Sequence, residues 1–170
     1  MKSLPDTPKV SIITMTYNDC AHLEKCVTQI LKQDYENIEY IIVDGGSSDG
    51  THEIIQKAAQ QLGDKLKWVS EPDEGLYDAL NKGIRMATGD IVGLMCDEFA
   101  DAHVLSDMVR QMQRDGTDGV HGDIDYMADG KVIRKWRMGA GNAKKLRWGW
   151  MPGHPTLYLK REVYETYGVY

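Results

Sequence analysis

Long hydrophobic runs are missing from this chain, in which no apolar stretch approaches the roughly 20 residues that a membrane-spanning helix needs. Met1 to Lys9 lacks the apolar centre of a secretory signal, so export is not expected. Cysteine is scarce. Cys20, Cys26 and Cys96 are odd in number and form no CxxC pair, which argues against a disulfide framework or a cysteine zinc site and suits a reducing cytoplasm. No GxGxxG follows the first apolar segment, which counts against a dinucleotide cofactor and an oxidoreductase. The glycine-rich turn from Gly45 to Gly50 lacks the Lys-Ser/Thr ending of a P-loop. Internal repeats and low-complexity linkers are absent too, and 170 residues suit a single domain with its own core.

Charge is short in one sign and unevenly spread. A net charge of −6 argues against a general nucleic-acid binder, yet residues 1–130 carry 11 basic and 24 acidic side chains while residues 131–147 carry seven basic and no acidic ones. Trp136, Trp148 and Trp150 fall in or just after that basic stretch. Two readings fit: a local surface for anions or a membrane face, and a solvated amphipathic segment.

What is present is an alternation. Lys9–Thr16, Glu39–Val43, Leu66–Ser70 and Ile91–Met95 are short apolar, β-branched runs that predict strands. Between them lie helical stripes: Leu23, Val27, Ile30 and Leu31; Ile54, Ile55, Ala58, Ala59 and Leu62, with Asp49 as expected N-cap; and Leu76, Ala79, Leu80, Gly83, Ile84 and Ala87. Val104, Leu105, Met108, Val109 and Met112 stripe a fourth helix. Such alternation implies βαβ units and a mostly parallel sheet flanked by helices. Gly119–Tyr126 and Lys131–Arg137, joined by residues 127–130, predict a hairpin appended to that sheet. The chain is irregular after Gly139, with a returning strand at Thr156–Leu159 and a helix from Arg161 to Tyr167.

Two of these strands end in acid. Glu39 to Thr51 runs a buried strand into Asp44 and a glycine–serine turn, and the fourth strand ends in Cys96-Asp97-Glu98. Ligands bind outside the carboxyl ends of strands in open α/β sheets, so the pair points to a nucleotide and a metal. Asp44 has a plainer alternative as a turn-former bonding the Gly45 and Gly46 amides.

The segments TYN (16–18), IIVDGGSSDGT (41–51), SEPDEGLYDALNKGI (70–84), ATGDIVGLMCDE (87–98) and GHPTLYLKREVYETYG (153–168) together resemble family 2 glycosyltransferases of the GT-A fold, most closely the bacterial members that build surface polysaccharides. The resemblance implies a Rossmann-like α/β domain over 1–170, with a donor-binding half at 1–130 and the start of an acceptor side at 131–170. It implies a cytoplasmic, hexosyltransferase-like enzyme, at work near the inner face of the membrane. Such an enzyme moves a sugar with inversion from a nucleoside-diphosphate sugar to a saccharide or lipid-linked acceptor, with Mg2+ or Mn2+ and with no nucleic acid.

By the same resemblance Asp44 receives an N–H of the nucleobase, a charge-assisted bond, and Thr16, Tyr17 and Asn18 close the first strand beside it, with Tyr17 free to stack on the base. Gly45 lets the backbone pass close to the nucleotide. Asp73, Asp78 and Asn81 are implied donor contacts, although acids also favour the first turn of any helix. Asp97 is the implied metal ligand, with Glu98 and His154 beside it and Cys96 as a further donor contact. Met95-Cys96-Asp97 departs from a strict DxD motif in lacking its first aspartate. The family's catalytic base lies in an acidic motif beyond Tyr170, so the chain is expected to be the N-terminal part of a longer enzyme. A non-catalytic nucleotide-sugar module and a nucleotidyltransferase are the competing classes; the second usually opens with a basic, glycine-rich loop, which Thr16-Tyr17-Asn18-Asp19 is not.

Overall fold

The alternation survives in three dimensions. A computed structural model describes residues 1–141 and 143–170, with the side chain of Ala143 also outside the description. Four parallel strands, β1 (Val10–Thr16), β2 (Ile38–Asp44), β3 (Leu66–Ser70) and β4 (Ile91–Leu94), are linked by helices α1 (Cys20–Leu31), α2 (Thr51–Leu62) and α3 (Leu76–Met86). After α4 (Val104–Asp115) come β5 (Gly119–Val120), β6 (Ile124–Ala128), β7 (Lys131–Trp136), a short helix α5 (Ala143–Leu146), β8 (Tyr158–Lys160) and α6 (Arg161–Tyr167). The main sheet runs β3-β2-β1-β4-β8-β5, with β8 antiparallel to both neighbours.

Every residue of β2 is buried, as expected of a parallel strand covered on both faces. The period-2 alternation divides its side chains. Tyr40 and Ile42 face one core, which also holds Leu23, Val27 and Ile30 of α1, Ile55 and Ala58 of α2, and Leu105 and Val109 of α4. Ile41 and Val43 face the other, against Ala79, Leu80 and Ile84 of α3. The result is three layers, helix–sheet–helix. Gly93 makes the tightest fit, because a Cβ there would stand 2.1 Å from the buried ring of Tyr158.

Glu39 is a charge buried in this framework. Glu39 has 2% of its side chain exposed, and it accepts from Lys67 Nζ (2.7 Å), Lys9 Nζ (3.1 Å), Ser11 Oγ (2.6 Å), Thr88 Oγ1 (2.7 Å) and Thr88 N–H (2.8 Å). Burial alone would raise its pKa, but the bonds from Lys67, Ser11 and Thr88 outweigh it and hold the carboxyl well below the usual range.

Several expectations need correction. The segment expected as one strand over Gly119–Tyr126 is broken at His121-Gly122-Asp123, where Thr156 Oγ1 bonds the Gly122 carbonyl and Asp123 Oδ1 accepts the Met138 N–H. Val120 therefore ends in the main sheet, while β6 and β7 pair as the expected hairpin, in a two-stranded sheet of their own. The hairpin turn is tighter than expected: Asp129 and Gly130, with φ of 49° and 72°, turn the chain alone, and Met127 and Ala128 belong to β6. The returning strand sits at Tyr158–Lys160, because His154–Thr156 winds into a 3-10 turn. Gly50, not Asp49, holds the cap position of α2 with φ 100°, and Asp49 instead accepts from Thr51 N–H and Oγ1 and from Cys20 N–H. Leu31 and Leu76, placed in the stripes, are exposed.

Candidate functional site

The chain turns away from β1 in both directions: β2 lies on one side of it and β4 on the other, so the carboxyl end of β1 is a topological switch point. Thr16 pairs with Asp44 across the β1–β2 side. On the other side Met95 N–H bonds the Ile13 carbonyl, and Cys96-Asp97-Glu98 follow directly. With strands about 4.8 Å apart, the two acidic strand ends stand on the order of 10 Å from one another across β1. A hydrogen-bond chain braces this edge, since Tyr40 Oη–H donates to Thr14 Oγ1 (2.9 Å) and Thr14 Oγ1 donates to the Met95 carbonyl (3.1 Å).

Asp44 is 1% exposed and its carboxylate shapes the loop that follows. Oδ1 accepts from Ser47 Oγ (2.5 Å), Oδ2 accepts from Ser70 Oγ (2.6 Å), and the Ser47 N–H lies 3.2 Å from both oxygens. The turn-forming partner is thus Ser47 rather than the Gly45 and Gly46 amides, an Asx-type closure. Asn18, at φ 49°, locks the same loop: its N–H donates to Ser47 Oγ (2.7 Å) and its Oδ1 accepts from Ser48 N–H (2.8 Å). Thr16 is buried, and its Oγ1 has no hydrogen-bond partner among the described residues. Buried hydroxyls are almost always satisfied, so this one is open to a partner outside the described residues.

Gly45, Asp73 and Tyr17 meet. A Cβ on Gly45 would stand 2.8 Å from Asp73 Oδ2 and 3.2 Å from Tyr17 Cδ2, so only glycine leaves this approach open. Tyr17 keeps 65% of its surface exposed, with its ring free to stack. Asp73 Oδ1 accepts the Gly75 N–H (2.9 Å), which leaves Oδ2 over Gly45. Asp78 is drawn away from this group: it accepts from Glu74 N–H (3.2 Å) and pairs with Lys82 Nζ (3.3 Å), contacts that lower its pKa. Asn81, expected to face a donor, is buried and bonds both backbone groups of Tyr170.

Beyond β4, Asp97 and Glu98 are exposed and Cys96 is half-buried. Burial, with the Asp97 charge adding to it, pushes the Cys96 thiol up to about 11, so it stands as a neutral thiol under two carboxylates. The antiparallel register of β8 on β4 runs Gly93 opposite Tyr158, which brings the turn holding His154 toward the same strand end. His154 Nε2 is buried without a partner among the described residues, and burial lowers its pKa, favouring the neutral ring. Asp97, Glu98 and His154 do not converge: among the described residues no three His, Cys, Asp or Glu side chains gather as a metal-ligand set. Two adjacent exposed carboxylates are nonetheless the hard oxygen donors that Mg2+ or Mn2+ takes when phosphate oxygens complete its shell. The donor set fits a divalent cation on those terms.

Sequence reasoning missed Ser47 and Ser70 as the partners of Asp44. Ser47 had a signal, since it follows the aspartate by three residues in a glycine turn; Ser70 had none, because β2–β3 pairing alone brings it close. Tyr77 and Tyr170 were missed as well, and their rings stack with centroids 5.9 Å apart.

A three-layer α/β domain with this strand order, and acids closing both strands beside β1, is the GT-A arrangement of a glycosyltransferase. The profile of Glycosyl transferase family 2 matches residues 11–168, and the chain belongs to that family. A PGL/p-HBAD biosynthesis glycosyltransferase of Mycobacterium bovis is 30% identical over 166 residues, 96% of this chain and 63% of the relative. An uncharacterized glycosyltransferase of Nostoc sp. is 31% identical over 120 residues, 70% of this chain and 37% of the relative. Among solved structures, the mannosyltransferase PcManGT of Pyrobaculum calidifontis, in complex with GDP-Man and Mn2+, superposes with a TM-score of 0.74 at 25% identity, over 99% of this chain and 50% of its own. TarS 1–349 of S. aureus, in complex with UDP-GlcNAc, shares the fold with a TM-score of 0.73 at 19% identity, over 95% of this chain and 48% of its own. The chain thus spans between about a third and two thirds of the length of these curated relatives, and about half of these solved chains.

Proposed function

We propose that the residues gathered at the carboxyl end of β1 bind a nucleoside-diphosphate sugar and that the enzyme passes the sugar, with inversion, to a saccharide or lipid-linked acceptor in polysaccharide assembly. The observation that carries this reading is the meeting of Tyr17, Gly45 and Asp73 beside Asp44, with Asp97 across the same strand. The GDP-Man and Mn2+ held by a neighbour of the same fold supports it.

In this reading the nucleobase stacks on Tyr17, and its N–H reaches Asp44 Oδ2 once the Ser70 hydroxyl turns aside. Asp73 takes the ribose hydroxyls, and the close approach at Gly45 gives the nucleoside room. Thr16 Oγ1 finds its missing partner on the ligand. Asp97 and Glu98 would hold Mg2+ or Mn2+ together with the diphosphate oxygens. The cation, when bound, offsets negative charge on the departing diphosphate. The acceptor oxygen forms a bond to the anomeric carbon as that carbon's bond to the phosphate oxygen breaks, and the nucleoside diphosphate leaves with the electron pair. The acceptor proton goes to a carboxylate base.

The hairpin supports an acceptor or membrane face on the other half of the chain. Met127 (57% exposed) and Ile133 (68%) stand apolar near its tip among Lys131, Arg134 and Lys135. Among the described residues no helix is long and apolar enough to cross a membrane. Contact with anionic lipid would therefore be peripheral and weakened by salt.

The test is a thermal-shift screen of UDP-, GDP- and dTDP-sugars with and without Mn2+. One nucleotide class raises the melting temperature, and Mn2+ increases the rise, because a ligand that binds only the folded state stabilises it by mass action. A cooperatively unfolding protein that responds to none of them refutes the reading.

A further inference from the structure

Lys82 lies on the second turn of α3, and long side chains on a helix lean back toward its start. There it meets the loop that leads into the helix. Its Nζ donates to the Pro72 carbonyl (2.9 Å) and pairs with Glu71 Oε1 (3.1 Å) and Asp78 Oδ2 (3.3 Å). An ammonium group has three protons, and here three acceptors receive them. The side chain is 20% exposed, whereas a lysine on an outer helix face normally carries its charge into water. An ordinary i,i+4 ion pair would involve Asp78 alone. The bond to a backbone carbonyl ahead of the helix is a different kind of tie.

That tie falls where the loop needs it. At one end the Glu71 N–H bonds the Asp44 carbonyl (3.0 Å), and at the other Asp78 Oδ2 takes the Glu74 N–H (3.2 Å). Pro72 and Asp73 stand between these anchors. Pro72 has no N–H to offer, so its carbonyl is the handle by which the backbone is held there. Asp73, the next residue, carries Oδ2 over Gly45, where a Cβ would stand 2.8 Å from it, with Tyr17 on the same spot. Lys82 has its protons committed to the loop and the first turn of α3, which leaves none directed at a ligand.

We infer that Lys82 is a positioning residue for nucleotide binding: it fixes the loop at Pro72, sets the Asp73 carboxylate over Gly45, and does not itself touch the nucleotide. That a nucleotide benefits rests on the glycosyltransferase reading above; that Lys82 fixes Asp73 does not.

The experiment is calorimetric titration of the 170-residue chain with UDP, GDP and dTDP, each with Mg2+, beside Lys82→Met, Asp73→Ala and the double variant. Lys82→Met keeps the apolar stem and removes the charge. It is expected to weaken the nucleotide that binds the wild type by roughly tenfold, the worth of one hydrogen bond to a charged group. Melting without ligand is expected to fall by a few degrees at most, because the carboxylates of Glu71 and Asp78 can turn to water. In the Asp73→Ala background Lys82→Met is expected to weaken binding no further, since the group it positions is gone. In 15N spectra of the ligand-free chain, Lys82→Met is expected to displace the amide signals of Tyr17 and Gly45.

Unchanged affinity in Lys82→Met overturns the inference. An equal loss in both backgrounds overturns it too, because a lysine that bound the diphosphate directly would behave that way. If the folded wild type binds none of the three nucleotides, the transferase reading falls and the amide signals decide what is left. Displaced signals of Tyr17 and Gly45 then uphold the tie between Lys82 and Asp73, and unmoved signals overturn it.

Discussion

Replacing Glu39 removes the acceptor on which five donors converge, and the cost follows from where each donor goes next. Lys9 and Lys67 are 38% and 39% exposed, so their ammonium groups return to water at little expense. The Thr88 donors lie on an exposed residue and do the same. Ser11 is fully buried, and its hydroxyl loses the only acceptor at 2.6 Å that the described residues give it. One buried orphan plus the space of the missing side chain puts Glu39→Ala at about 2–4 kcal/mol. Glu39→Gln keeps the volume but turns an amide N–H₂ toward two ammonium groups and a hydroxyl, at about 1–3 kcal/mol. The pH dependence has a definite sign. The folded carboxyl is held below its ordinary value, so its contribution is complete above the unfolded pKa of about 4.3 and is lost as pH falls through the lower folded value. Urea unfolding at pH 7 and at steps from pH 5 to pH 3 measures both effects. A loss under about 1 kcal/mol for the alanine variant, or parallel pH profiles for wild type and Glu39→Gln, would refute the reasoning.

Gly93→Ala drives a methyl group to 2.1 Å from the Tyr158 ring, whose hydroxyl is also tied to the Leu94 carbonyl, so it should cost about 3 kcal/mol or more by urea unfolding; a neutral effect would show that β4 and β8 can separate. Gly45→Ala meets only the flexible ends of Asp73 and Tyr17, so stability should change by less than about 1 kcal/mol while the nucleotide-sugar shift shrinks or vanishes. An unchanged shift would move the nucleoside elsewhere. Asp97→Asn should abolish the Mn2+-dependent part of the thermal shift and leave melting without ligand unaltered, since Asp97 is exposed; an intact Mn2+ effect would free Asp97 of a metal role.

Much of this was legible from periodicity. The buried strands and striped helices appear where apolar spacing places them, because a parallel sheet covered on both faces tolerates little else. The acids at the ends of β2 and β4 were legible for the same reason, since topology alone puts strand ends together. What stayed hidden depends on residues distant in the chain. His121-Gly122-Asp123 reads as more strand until Thr156 and Met138, 34 and 15 residues away, claim its polar groups. Glu39 reads as the rim of an apolar run, and its distant partners, Lys67 and Thr88 among them, show why a charge is kept there. Asn81 sits on the helix face that a ligand-binding residue would use, yet its partner lies 89 residues on. Propensity sets local shape, whereas the partner of a buried polar group is a tertiary fact.

The central claim is that both acidic strand ends serve one pocket across β1. Amide shifts in a 15N-labelled sample test it most directly, when the chain is titrated with the nucleoside diphosphate of the largest thermal shift in the presence of Mg2+. The account predicts that Tyr17, Asn18, Gly45 and Gly46 move together with Cys96, Asp97 and Glu98, along one binding curve. Shifts confined to one of these two groups, or centred away from the end of β1, would contradict it.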